Sequence, residues 1–154
     1  MFDTIKAFFQ KLSAEDERNH FEITDHRLAA AALLVHVMNA DGFVMESETD
    51  IIRTVLKRHY DLSDTELEDL IADGEEADHG AVDFYTFTSV LKRNLDREGR
   101  MKVVEMMWEV VLADGIVHEL EDTVVWRVAE LLGVETRERV SLRKMVEERL
   151  ANPS

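Results

Sequence analysis

A compact, all-α bundle of about seven or eight helices is the fold that this sequence predicts. Apolar residues recur every three or four positions through most of its 154 residues, which is the spacing of one helix face. Consistent strand alternation is absent, and one proline and six glycines leave few interruptions. Connections between the helical segments are short, so we expect one domain over residues 1–154.

The first element is an amphipathic helix at about residues 2–13. Phe2, Ile5, Phe8, Phe9 and Leu12 fall on one face. We expect this face to dock on the rest of the protein. Binding to a membrane surface is the alternative, which the three acidic residues at positions 15–17 disfavour because anionic lipid would repel them.

The next two helices form a first unit at about residues 25–60. One helix is expected over Asp25–Asn39, with Thr24 as its N-cap. Its centre, Leu28–Val35, is apolar all round, which is typical of a buried helix. The other helix is expected over Glu46–Tyr60.

Two helices connect this unit to the next. Ser63 and Glu66 have the spacing of a capping box, so a helix is predicted to start at Ser63. The next helix is predicted at about Asp83–Leu95, because its large apolar residues share one face.

A second unit is predicted at about residues 99–133, followed by a last helix. Its two helices are expected over Arg100–Ala113 and Glu119–Leu132, and Gly133 is a natural residue to follow a helix end. The last helix, at about Thr136–Leu150, mixes both charges, which is typical of a solvated face.

The two units resemble each other in sequence. Ala31–Leu56 aligns with Val104–Ala129 at an offset of 73 residues, from 114 − 41. Each copy has an apolar helix, an Ala-Asp-Gly turn and an acidic helix start. We therefore predict an internal helix–ADG–helix duplication, whose two loops could lie near each other if the copies are related by a pseudo-twofold axis.

Composition excludes several functions. The formal net charge is 18 − 33 = −15, which makes nucleic acid an unsuitable partner. Another protein, basic or membrane-associated, suits this surface better. Cysteine is absent, which excludes thiolate chemistry and agrees with a cytoplasmic location. Neither a signal peptide nor a membrane-spanning run is evident, and phosphate-binding loop motifs are also absent.

The ADG turns suggest a cation site. An Asp at a helix end faces the negative end of the helix dipole, and two more carboxylates follow within a few residues, so repulsion favours a bound cation. Oxygen ligands of this kind suit Ca²⁺ or Mg²⁺. The alternative is local: the aspartates form Asx turns, the glycines end helices, and the glutamates stabilise helix starts.

Four further positions carry weaker expectations. Glu105 and Glu109, four residues apart, are expected on the solvent side of their helix, with a catalytic carboxylate pair as the alternative. Trp126 is expected in the core, and His36 is expected to be a satisfied core histidine.

The doubled motif, NADGFVMESE in one copy and LADGIVHELE in the other, resembles the TerB-like (tellurite resistance protein B) family over roughly residues 25–145. The resemblance implies an all-helical fold and a bacterial protein of the tellurite or wider stress response, here of a stand-alone cytosolic kind. It also implies metal binding at Asp41, Glu48, Asp114 and Glu121. We add Glu46, Glu119 and His118 as secondary candidates.

The function expected is therefore a non-catalytic cation-binding or adaptor module. A pure protein-interaction scaffold with an acidic surface is one alternative. The other is a hydrolase that uses the acidic cluster and a metal-bound water.

Overall fold

The structure, a computed structural model, describes residues 20–40, 46–81, 83–113 and 117–152, leaving aside the side chains of Glu46 and Ser47. Within these ranges it contains seven α-helices and no strand. They are α1 (His26–Met38), α2 (Glu46–His59), α3 (Asp64–Gly80), α4 (Tyr85–Asn94), α5 (Arg97–Val111), α6 (Glu119–Leu131) and α7 (Thr136–Ala151). The predicted all-α bundle is confirmed. The amphipathic helix expected at 2–13 lies outside the described residues.

Helix α1 lies at the centre of the bundle. It contacts α2, α3, α4, α5 and α6, and its apolar residues from Leu28 to Val35 are all buried, as the sequence predicts. The closest neighbour is α3, where a Cβ atom at Gly74 would lie 3.1 Å from the Cβ of Ala31. A glycine here therefore lets the two helix backbones approach closely.

Helix α5 is the second central element. It contacts α1, α2, α6 and α7, and every residue from Val103 to Val111 is buried. The indole Nε1 of Trp108 donates to the carbonyl oxygen of Arg139 at 3.2 Å, which satisfies the polar group of a large core residue and joins α5 to α7.

The helix ends show which local signals operate. The capping box of Ser63 and Glu66 is present at the start of α3, as predicted. Gly133 follows α6 with φ of +75°, the left-handed conformation that glycine adopts readily. Two boundaries were wrong. Asp25, not Thr24, caps α1, and α5 begins at Arg97 because Asp96 accepts from the backbone N–H of Gly99.

The remaining helices cover these two central ones. Val146 is the buried residue of α7, so the mixed-charge face predicted for that helix is exposed. Over the part of the chain that the structure describes, no helix has both the length and the apolar character needed to cross a membrane. The duplication stays a prediction. In the predicted copies α1 corresponds to α5 and α2 to α6, and α1 contacts α6 while α5 contacts α2.

Candidate functional site

The acidic start of α6 is the part of the predicted cation site that the structure describes most fully. Glu121 is only 7% exposed, while its neighbour Glu119 is exposed. Nε2 of His118, the residue just before the helix, lies 3.8 Å from Oε1 of Glu121. One carboxylate of this acidic turn is therefore removed from solvent beside a histidine, next to the second ADG turn.

The corresponding residue of the first copy, Glu48, lies in the first turn of α2 and is partly buried. Asp41 and Asp114 lie outside the described residues, as does the side chain of Glu46. The structure thus places Glu121 and His118 together and leaves the proposed pairing of the two loops a prediction.

A second cluster of ionisable groups was not predicted from the sequence. It consists of two buried carboxylates on α5 and four surrounding groups from α2, α5 and α7. We call it the Glu109 network, and its members are Arg58, His59, Lys102, Glu105, Glu109 and Arg149.

Distances show that both carboxylates of this network are paired. The Glu109 carboxylate contacts Nε2 of His59 at 3.0 Å and Nη2 of Arg149 at 2.9 Å. Arg149 also lies 3.6 Å from Glu105, and Nζ of Lys102 lies 3.4 Å from the other Glu105 oxygen. Because His59 is the last residue of α2 and Arg149 lies near the end of α7, the network joins three helices.

The spacing of the ligand atoms in this cluster would allow it to hold a metal ion. One ligand atom each from His59, Glu105 and Glu109 lie within 4.8 Å of one another, and imidazole with carboxylates suits several divalent metals. The charge of the surroundings opposes it. Arg149 already contacts both carboxylates, so a cation bound there would have to displace or approach a guanidinium group.

The expectation that Glu105 and Glu109 mark the solvent side of their helix is wrong. Both are 5% exposed. The signal that could have identified them is the helix itself: Val103–Val111 is apolar on every side apart from these two residues, which leaves no solvent face for them. A glutamate pair within such a helix indicates buried partners on neighbouring helices.

Two other histidines also pair with carboxylates of α3. Nδ1 of His36 lies 2.8 Å from Asp78, so the histidine is satisfied as predicted, although its side chain is 33% exposed and lies at the edge of the core. Nδ1 of His20 lies 3.0 Å from Asp73, whose other carboxylate oxygen accepts from the backbone N–H of Phe21. These contacts attach α1 and the segment before it to α3.

The expectation that Trp126 belongs to the core is also wrong, because it is 41% exposed. Its ring lines a cavity of about 500 Å³ at the α6–α7 connection, together with Glu130, Glu135 and Arg139. The guanidinium of Arg127 lies 6.0 Å from the ring centroid, so a cation already approaches this indole.

Comparison with known families agrees with the fold. A family model described as "Tellurite resistance protein TerB" matches residues 27–144, a range that includes both ADG turns and six of the helices in full or nearly so. No curated protein and no solved structure gave a match to this chain. On the extent of the family match, the chain belongs to the TerB tellurite resistance family.

Proposed function

We propose that this TerB-family chain is a non-catalytic, cation-binding module of the bacterial tellurite and stress response, acting in the cytoplasm. Its ligands are the acidic residues beside the ADG turns, first Asp41, Glu48, Asp114 and Glu121, with Glu46, Glu119 and His118 as secondary ligands. The family match covers all of these positions.

The observation that carries the proposal is the burial of Glu121. An exposed glutamate in the first turn of a helix needs no explanation beyond the helix dipole. Glu121 is 7% exposed, and burial of a carboxylate disfavours its charge unless opposite charge or hydrogen bonds offset that penalty. Glu121 already contacts His118, and a hard cation such as Ca²⁺ or Mg²⁺, held by Glu121 and the neighbouring carboxylates, adds opposite charge to that contact.

The test is thermal unfolding of the full chain in EDTA and then in Ca²⁺, Mg²⁺, Mn²⁺ or Zn²⁺. A ligand at a hundred times its Kd stabilises the folded state by about 2.7 kcal/mol, or roughly 5 to 10 °C in a chain of this size. We expect such a shift in the wild type and its loss in Glu121→Gln and in Asp41→Asn/Asp114→Asn.

Two control variants separate the competing sites. Glu130→Gln removes an exposed charge of the same helix outside the proposed ligand set and should leave the shift unchanged. His59→Asn disrupts the Glu109 network, and a shift lost only in this variant would move the cation to that network. Absence of a shift with all four metals would remove the cation proposal altogether.

A second candidate is an adaptor that binds another protein without a cation, and the exposure of Trp126 favours it. Exposed tryptophans are frequent anchors of protein interfaces. Trp126→Ala should then weaken capture of a basic partner from cell extract in the presence of EDTA, while Tm stays unchanged. If Asp41→Asn/Asp114→Asn weakens capture of the partner instead, and capture by the wild type increases when metal replaces EDTA, the partner binds at the cation site.

A further inference from the structure

A groove between α2, the end of α5 and the end of α7 is the largest cavity bordered by the Glu109 network. Its volume is about 610 Å³, within the range of small-molecule pockets, about 300 to 1,000 Å³. Among the described residues that line it, Ile51, Val55, Val146 and Leu150 provide an apolar wall. Leu150 is 47% exposed, so part of this apolar surface is open to solvent.

Two guanidinium groups border the same groove. Arg58 and Arg149 both line it, and their side chains are 55% and 45% exposed. Each contacts the buried Glu109, at 3.6 Å and 2.9 Å, which fixes one side of the guanidinium group. An arginine has five N–H donors, so further donors remain for a ligand.

Charge distinguishes this groove from the chain as a whole. The charged side chains that line it balance, because Arg58 and Arg149 offset Asp50 and Glu109 and 2 − 2 leaves 0, whereas the whole chain has −15. Asp50 also lines the groove, but Nη1 of Arg53 lies 2.5 Å from its carboxylate. A single anionic group on the ligand would therefore complement the groove.

We propose that this groove binds a straight-chain aliphatic carboxylate. The ligand carboxylate accepts hydrogen bonds from Arg58 and Arg149, because guanidinium and carboxylate groups match in geometry and charge. Its hydrocarbon chain lies along the apolar wall formed by residues of α2 and α7. The side chains that this proposal uses are not among the proposed cation ligands, so it does not depend on the proposed cation.

The test is calorimetric titration of the full chain with octanoate in EDTA, compared with octanol and octyltrimethylammonium. These probes share the hydrocarbon chain and differ in the head group. We expect saturable binding of one octanoate, roughly tenfold weaker binding of octanol, and no binding of the cation. Equal binding of octanoate and octanol, or no saturable octanoate binding, would overturn the proposal.

Variants of groove residues locate the ligand. Arg58→Gln should weaken octanoate binding roughly tenfold and leave octanol unchanged, and Arg58→Lys should recover part of the loss. Leu150→Ser should weaken both. Lys144→Gln is the matched control, because Lys144 is an exposed cation of α7 that does not line the groove.

Each variant is first checked for an unchanged Tm, since Arg58 and Leu150 are exposed enough to be replaced without loss of the core. Octanoate binding that Arg58→Gln leaves intact, or that Lys144→Gln weakens equally, would place the ligand elsewhere and overturn the assignment.

Discussion

The two central helices, α1 and α5, pair a polar side chain with a neighbouring helix in different ways. We take α1–α3 as the first half and α5–α7 as the second half, following the predicted duplication. Each central helix carries a polar residue that pairs with the third helix of its half, His36 of α1 with Asp78 of α3 and Glu109 of α5 with Arg149 of α7. At the offset of 73 residues, His36 and Glu109 occupy the same position of the aligned segments. The acid is on the outer helix in one half and on the central helix in the other.

The pairs differ in the burial of the residue on the central helix, while the outer-helix partners, Asp78 and Arg149, are 11% and 45% exposed. The His36 side chain is 33% exposed, so water can replace a lost partner, whereas the Glu109 side chain is 4% exposed. Removing one partner of a buried charge leaves that charge uncompensated, which destabilises more than removal of a surface pair. The second half should therefore be far more sensitive to substitution of its polar residues.

The largest effect is expected from Arg149→Leu. Loss of the guanidinium leaves the buried Glu105 and Glu109 with fewer neighbouring cations. We expect the unfolding free energy to fall by about 2 to 3 kcal/mol. This is less than for a fully buried pair, because the Arg149 side chain is 45% exposed. Urea unfolding measures it. Adding Glu109→Leu should recover part of the loss, and a further decrease would contradict the account.

The second prediction concerns Tyr60, just after α2 in the first half. Burial, with a smaller contribution from Asp25, raises its pKa from 10 to about 12. The unfolded chain loses this proton first, so stability present below pH 10 should decline as pH rises to about 12, by at most about 2.7 kcal/mol. Tyr60→Phe should remove that decline in alkaline unfolding, and an unchanged pH profile in the variant would count against it.

The third prediction compares the starts of the two outer helices, α3 and α7. Ser63 accepts from the N–H of Glu66, and Ser63→Ala should lower the unfolding free energy by about 1 kcal/mol. At α7 the backbone N–H of Glu135 donates to Glu138, which also pairs with Arg97. Glu135→Ala should destabilise less in the same urea experiment, since glutamate is not a favoured N-cap residue.

The smallest effect is expected from Asp78→Asn in the first half. The substitution keeps the shape of the side chain and removes its charge beside His36, and we expect a loss below about 1 kcal/mol in urea unfolding. A loss as large as that of Arg149→Leu would show that exposure does not explain the difference between the two halves.

Most of the fold could be predicted from the sequence because it rests on local signals. The wholly apolar stretch of α1, the capping box at Ser63 and the glycine at 133 each act within a few residues, and each operates as predicted. Thr24 was a wrong cap because Asp25, one residue later, has a carboxylate that accepts from Arg27.

The Glu109 network could not be predicted because its partners are 40 to 50 residues apart in sequence. The apolar surroundings of Glu105 and Glu109 in the sequence indicate burial, but which residues pair with them depends on the packing of the other helices. The exposure of Trp126 likewise depends on how α6 meets α7. Of the predicted metal ligands, Glu121 and His118 adjoin as neighbours in sequence, which is a local property.

Five neighbouring helices surround α1, and this arrangement has a consequence for hydrogen exchange. No single peripheral helix can detach and expose the backbone of α1, so its amide protons should exchange only when the whole bundle opens. Deuterium uptake in α1 would then measure the global unfolding equilibrium. Faster uptake in α6 and α7 than in α1 would measure the free energy of local unfolding in the second half.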